Sequence, residues 1–259
     1  MIIDIHAHVF PNKIAEKASQ GIEDFYNIDV PNNGTIERLL ELSDKAGVNK
    51  VVIHSPATTP HQVQSVNNFI YDCTQKYPDR VIGFMTLHPD FENINDEVER
   101  CISMGLKGVK LHPDFQRFHI DDHKAFCIYE AISGRLPLLV HTGDFRYQWS
   151  KPERMAKVMD EFPAMTVIGA HFGGWSEWDD AARVFKGKNI YVDTSSTMYS
   201  VPPEHINELI RQYGTEHVLF GSDYPMWDAG TELEYIEKLD LTNEERELIL
   251  HKNLSLIHI

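Results

Sequence analysis

The sequence predicts an α/β chain of the (β/α)8 type, a barrel of parallel strands wrapped by helices. Two observations point there. Short Val-, Ile- and Leu-rich runs alternate with helical stretches eight times, with no linker or composition break across the 259 residues. The first, fourth, fifth, sixth and eighth of those runs also end in an imidazole or a carboxylate, which suits strands whose carboxyl ends share one rim. A doubly wound open sheet is the competing architecture, and eight strands favour closure.

The strands are expected at Ile2–His6, Lys50–His54, Val81–Leu87, Gly108–His112, Pro137–His141, Thr166–His171, Asn189–Thr194 and Val218–Asp223. Most are continuously apolar, as strands covered on both faces are. Helices fill the gaps. Thr35–Ala46 carries Leu39, Leu40 and Leu42 and stops at Gly47. His61–Lys76 ends before Tyr77-Pro78, Asn93–Met104 before Gly105, and Asp122–Ser133 before Gly134. Pro152–Phe162 opens on a proline suited to a first helical turn. Ser176–Phe185, Pro203–Tyr213 and Asn243–Leu256 follow, with a short extra helix at Thr231–Leu239. Thr242 and Glu245 form a capping-box pattern before the last of them. A single domain over residues 1–259 is expected, and residues 9–34, the longest strand-to-helix connection, are expected to fold over a site as a lid.

Composition narrows the function classes. A net charge of −15, from 39 acidic and 24 basic residues, disfavours non-specific nucleic-acid and anionic-membrane binding. No apolar run approaches the roughly 20 residues needed to span a bilayer, and an aspartate at position 4 argues against a signal peptide. Cys73, Cys101 and Cys127 are far apart and fall in helical stretches, which reads as reduced, buried thiols in a cytoplasmic protein. The expected partner is a small-molecule substrate, with a homodimer as the assembly considered.

The strand ends carry the chemistry. Strand 1 ends in His6-x-His8, strand 4 in Lys110-Leu111-His112, strand 5 in His141, strand 6 in His171 and strand 8 in Asp223. A lone HxH in a strand is a weak signal, and a lone rim histidine is usually held by one hydrogen bond. Their convergence on one rim points to a metal site, because imidazole nitrogen and carboxylate oxygen suit Zn2+. His6, His8, His141 and Asp223 supply three nitrogens and one oxygen. Alternation along strand 1 would put Asp4 on the same face, a layer deeper, either orienting an inner ligand or as a plain strand-start acid. Gly169 and Gly221 leave room behind the residues that follow them.

The segments IIDIHAHVFP, GVKLHPDFQRF, PLLVHTGDFRYQWSKPERM, VIGAHFGGW, IYVDTSS, VLFGSDYPMW and LTNEERELILHKN together resemble the amidohydrolase superfamily. More narrowly, they are similar to the amidohydrolase-2 family, which includes proteins like aminocarboxymuconate-semialdehyde decarboxylase. The resemblance runs from Ile2 to about Leu254. It implies a distorted TIM barrel of the metallo-dependent hydrolase type, with His6, His8, His141 and Asp223 as metal ligands. It also implies His171 as the residue that activates water or stabilises the transition state, and Asp223 as a proton shuttle. One divalent metal is expected, Zn2+ first and Mn2+ second, with a second ion not favoured.

Lys110 stands near the position where some superfamily members carry a carboxylated lysine. Here it is read as a cation for a substrate anion, with a bridging or a structural role as alternatives. His112 is read as a substrate contact, a neighbour of a second metal or a plain rim histidine. Arg146 is read as a guanidinium for a substrate carboxylate or phosphate, or an exposed loop residue. Trp227, like Trp175, is read as a pocket wall or as packing. Arg117 is a weaker candidate. The main expectation is a hydrolase acting through metal-activated water on an amide, ester or lactone of a small carboxylate-bearing substrate. The alternative is a metal-dependent, non-oxidative decarboxylase of a small unsaturated or aromatic acid. A non-catalytic barrel is the third reading, disfavoured because all five expected residues are present.

Overall fold

The computed structural model describes residues 1–257, so the last two residues of the expected domain lie outside the described ones. Its strands are β1 (Ile3–His8), β2 (Lys50–His54), β3 (Val81–Thr86), β4 (Gly108–Leu111), β5 (Leu138–Val140), β6 (Val167–Gly169), β7 (Ile190–Asp193) and β8 (Val218–Leu219). They follow in that order around one sheet, each parallel to the next. Backbone bonds from Ile5 to Phe220, from Asp223 to His6 and from His8 to Tyr224 bring β8 back to β1, so the sheet nearly closes. The TIM barrel expected from the alternation is present.

Two apolar layers hold it. Between strands and helices lies the larger one, with Val51, Met85, Val109, Val140 and Ile206 among its buried residues. Inside the barrel, Ile3, Ile5, Val52, Phe84, Leu139, Ile168 and Leu219 pack together, and Leu254 closes the floor. Every strand is buried on both sides, which is why most read as continuous apolar runs.

The helices are α1 (Ala15–Tyr26), α2 (Ile36–Lys45), α3 (Val63–Lys76), α4 (Ile94–Ser103), α5 (Pro113–Gln116), α6 (Phe126–Ile132), α7 (Pro152–Glu161), α8 (Trp178–Val184), α9 (Pro203–Tyr213), α10 (Ala229–Glu237) and α11 (Asn243–Glu247). Among the described residues, none is long and apolar enough to cross a membrane. The capping box is present, with Thr242 accepting from the Glu245 amide. Three expectations are corrected. The C-terminal helix does not run unbroken to Leu256. It widens into a π-turn at Leu248–Lys252, which lets the Ile249 carbonyl accept from the Phe220 amide and so ties the chain end to β8. The 9–34 connection contains a helix not expected from the sequence, α1, which buries Ala15, Ser19 and Ile22 on one face. Cys127 is exposed, whereas Cys73 and Cys101 are buried; all three thiols are free.

Six of the strands, β3 to β8, stop sooner than expected at their carboxyl ends, while β2 ends at His54 as expected and β1 runs on to His8. β5, β6 and β8 end before His141, His171 and Asp223, which sit on the first residues of the loops. His171 and Asp223 adopt left-handed φ angles of 59° and 64°, so the ladder ends where the chain turns each side chain over the barrel mouth.

A further correction concerns β1. Its register against β2 slips between Asp4 and Ala7: three steps along β1 match two along β2. Below the slip, Ile3 and Ile5 face the barrel interior. Above it, Ala7 and Val9 pack outward among the helices, and His6 and His8 take the inner face. Asp4 therefore does not share a face with the histidines. It accepts from the His6 amide at 3.0 Å, and from the amide and hydroxyl of Ser222, and so caps the bulge.

Candidate metal centre

The bulge places His6 and His8 side by side, their Nε2 atoms 3.2 Å apart. Asp223 Oδ1 lies 3.2 Å from the first and 3.4 Å from the second. These three donor atoms form one compact group. His6 Nδ1 faces Asp193 Oδ2 at 2.9 Å. A proton held there leaves the lone pair on Nε2, aimed at the group. Lys110 Nζ also lies 2.9 Å from that Nε2.

His171 continues the cluster. Its Nε2 is 3.1 Å from His141 Nδ1, its Nδ1 is 2.9 Å from Ser195 Oγ, and its amide donates to Asp193 Oδ1. His141 does not sit in the compact group. Its Nε2 points to Asp114 Oδ2 at 3.6 Å, and with His112 and Asp114 it forms a second triad of donor atoms. His112 is stacked between Phe115 and His141, with ring centroids 3.9 and 4.0 Å away.

Burial sets the charges. It pushes the His8 imidazole down to about 3 and that of His171 to about 4. It drives His54, His112 and His141 well below the usual histidine range. At neutral pH these rings are uncharged and carry open lone pairs. Asp223 is different. Burial alone would raise it, but the pull of His6, His171 and His8 holds it well below the ordinary carboxylate range. Burial lowers Lys110 to about 8, against the pull of Asp223 and Asp193.

Neutral imidazoles gathered around a buried carboxylate are the donor set of a divalent cation. The fit has a direct mark. Asp223 Oδ1 and His141 Nε2 are buried and have no hydrogen-bond partner, an arrangement that costs free energy unless something occupies the space they face. The residues present fit a metal.

The remaining expected residues have definite partners. Arg146 forks onto Asp144, with Nε to Oδ1 at 2.9 Å and Nη2 to Oδ2 at 2.7 Å. Its Nη1 donates to the Phe25 carbonyl, and the guanidinium lies over the Phe25 and Tyr26 rings, so it clamps the end of α1 to the rim. Trp227 Nε1 donates to Ser196 Oγ, which donates to Asp223 Oδ2 at 2.5 Å. Trp227, Trp175, Tyr26 and Met226 roof a crevice of only about 10 Å3 over His141, His171 and Asp223. The Tyr26 hydroxyl reaches His112 Nε2 at 3.0 Å. Arg117 ends α5 in a left-handed turn.

Sequence reasoning missed several residues. His54 ends β2, is wholly buried, and meets His8 edge-on at 4.6 Å with both ring nitrogens unpartnered. The strand-end pattern that picked out the other histidines applies to it equally. Asp193, inside the IYVDTSS segment, falls one residue before the end of the strand expected at Asn189–Thr194 and was not singled out. It is the orienting partner first looked for in Asp4. Asp114, pushed by burial up to about 7, was visible only as a neighbour of His112.

A parallel barrel whose strand ends surround a buried cation-binding group defines a metal-dependent TIM-barrel enzyme. The chain belongs to the amidohydrolase family, whose model it matches over residues 3–253. It is 21% identical to 2-amino-3-carboxymuconate-6-semialdehyde decarboxylase of Caenorhabditis elegans, covering 97% of this chain and 92% of that protein. Its fold matches that of 5-carboxyvanillate decarboxylase from Sphingomonas paucimobilis (TM-score 0.77, 16% identity, 99% of this chain and 98% of that one). It also matches dihydroxybenzoic acid decarboxylase from Polaromonas, described with bound manganese and the inhibitor 2-nitroresorcinol (TM-score 0.74, 17% identity, 99% and 96%). These relatives overturn the expectation of a hydrolase. They are carboxy-lyases, and the ligand set, common to both chemistries, had no power to separate them.

Proposed function

We propose that the protein is a metal-dependent, non-oxidative decarboxylase of a small aromatic or unsaturated acid. The observation that carries this reading is the near full-length kinship with the Caenorhabditis elegans decarboxylase; the barrel likeness to two benzoate-type decarboxylases agrees with it. His6, His8, His141 and Asp223 are assigned as the residues that hold the ion. For Mn2+ the support is the manganese of the Polaromonas relative; for Zn2+ it is the nitrogen-rich donor set. The bound ion supplies positive charge that steadies a substrate oxygen and the electron pair released as the C–C bond breaks.

The chain's own residues do the rest. Asp193 fixes the His6 tautomer. Lys110 puts a cation at the floor of the site for the substrate anion. Tyr26, Trp175 and Trp227 keep water out of the crevice. A proton must replace carbon dioxide on the carbon; the His171–Asp223 pair, whose Nδ1 and Oδ2 lie 4.0 Å apart, takes it up from solvent and passes it on, returning to its resting charge.

The test is turnover of hydroxybenzoates, 5-carboxyvanillate and carboxymuconate semialdehydes by manganese-loaded enzyme in heavy water. The expected result is carbon dioxide with one deuterium on the carbon that lost it. A product that carries oxygen from labelled water, with no carbon dioxide released, would overturn the reading.

A further inference from the structure

The roof over His141, His171 and Asp223 encloses about 10 Å3, too little for any substrate. On the opposite side of the cluster, beyond His8, lies a cleft of about 530 Å3. This is the size range of small-molecule sites. Two helices form it. Ile14, Ala18, Gly21 and Ile22 line one wall, at the spacing of a single face of α1. Ser65, Val66 and Phe69 of α3 line the other. Val9 and Phe10 lead along the floor from His8, and Phe115, stacked on His112, stands at the side.

Three features say what the cleft takes. Its lining is mostly apolar and contains no Lys, Arg, Asp or Glu, so His8 is its one link to the charged cluster. Ile14, a large hydrophobic side chain left 51% exposed, stands at its mouth. A β-carbon built on Gly21 meets nothing within 4 Å, so α1 holds open space there where a side chain would fill it.

We infer that this cleft is the subsite for an extended, uncharged apolar substituent of the substrate acid, which enters between α1 and α3 with its carboxylate toward His8 and the metal ligands. The inference rests on the decarboxylase reading for the acid, and on the cleft itself for the substituent. It narrows the substrate class to mono-acids with an alkyl or aryl extension, because a second carboxylate would find no cation along the walls.

The test compares benzoate with 4-hexylbenzoate by calorimetry on the manganese-loaded protein. Wild type should bind the hexyl acid at least about tenfold more tightly, as burial of a chain of that length requires. Gly21→Leu, which favours helix and fills the cleft from α1, should bring the affinity ratio close to one. Ser65→Leu should do the same from the α3 wall, and thermal melts confirm that both variants fold. A ratio near one in wild type, or a tenfold ratio that persists in both variants, would overturn the proposal. So would loss of the hexyl preference on concentration-dependent dimerisation, which would assign the cleft to a second copy of the chain. Carbon dioxide release is scored separately. A ratio that collapses in both variants upholds the subsite even if no acid is decarboxylated, and decarboxylation with no hexyl preference leaves the function standing without it.

Discussion

The two storeys of the barrel interior share most of their strands and could hardly differ more. The lower one is Ile3, Ile5, Val52, Phe84, Leu139, Ile168 and Leu219, an apolar plug closed by Leu254. The upper one, one to four residues further along β1, β2, β5, β6 and β8 and joined by Lys110 of β4, is His6, His8, His54, Lys110, His141, His171 and Asp223, all buried. The plug stabilises by excluding water. The upper storey gathers groups that would each be costly to bury alone, and becomes favourable when they share a cation. Stability is thus concentrated below and chemistry above, and the bulge in β1 is the seam, since it lets Ile5 and His6 both face inward.

Paired substitutions break this comparison most sharply. Asp223→Ala should abolish metal binding, with a loss of turnover of about a thousandfold or more. Leu139→Ala, one storey down, should cost about 2–5 kcal/mol of folding stability by opening a cavity, while the folded fraction still binds metal. Denaturant melts alongside metal analysis separate the two outcomes. If Leu139→Ala also empties the metal site of folded protein, the storeys are not independent.

Asp193→Asn should act through His6. The amide can no longer enforce the tautomer with its lone pair on Nε2, so metal affinity should fall by about 10–100-fold with little change in melting temperature of the metal-free protein. Competition with a chelator reads this directly.

The pH response of the metal-free protein sharpens the contrast further. His8, at about 3, and His171, at about 4, are held below the ordinary value of 6.5, as are His54, His112 and His141. Between pH 6.5 and 4 the unfolded chain binds these protons and the folded one does not, so stability falls as pH falls. Burial raises Asp4 to about 6, Asp114 to about 7 and Glu232 well above its usual value, and these three oppose the trend. Five imidazoles against three carboxyls leave a net loss of stability on acidification. Thermal melts from pH 7 to 4 should show it, and bound metal, which competes with the imidazole protons, should protect the protein over the upper part of that range.

Much of this was legible in the sequence, for a physical reason. A strand buried on both sides must be apolar, so a histidine or aspartate at its end stands out, as His141, His171 and Asp223 did. The bulge was not legible. In Ile3-Asp4-Ile5-His6-Ala7-His8 every residue is buried, so alternation cannot tell one face from the other, and Asp4 was placed beside histidines it only supports through the backbone. Asp193 was hidden because the strand expected there was carried on to Thr194, which left the aspartate one place short of its end. The α1 helix was overlooked although Ile14, Ala18 and Ile22 repeat at helical spacing, because the residues of that stripe are small or interrupted by Gly21 and the segment reads as one long connection. The choice between hydrolysis and decarboxylation was illegible for another reason: both chemistries use the same ligands, and the residues that separate them contact the substrate.

The central claim is that the upper storey holds one catalytic divalent ion on His6, His8, His141 and Asp223. Its most direct test is the anomalous scattering of manganese in crystals of the metal-loaded protein. The account predicts one peak bonded to His6, His8 and Asp223, with the His141 ring turned to join them. A peak confined to His112, Asp114 and His141, or no ordered manganese at full loading, would contradict it.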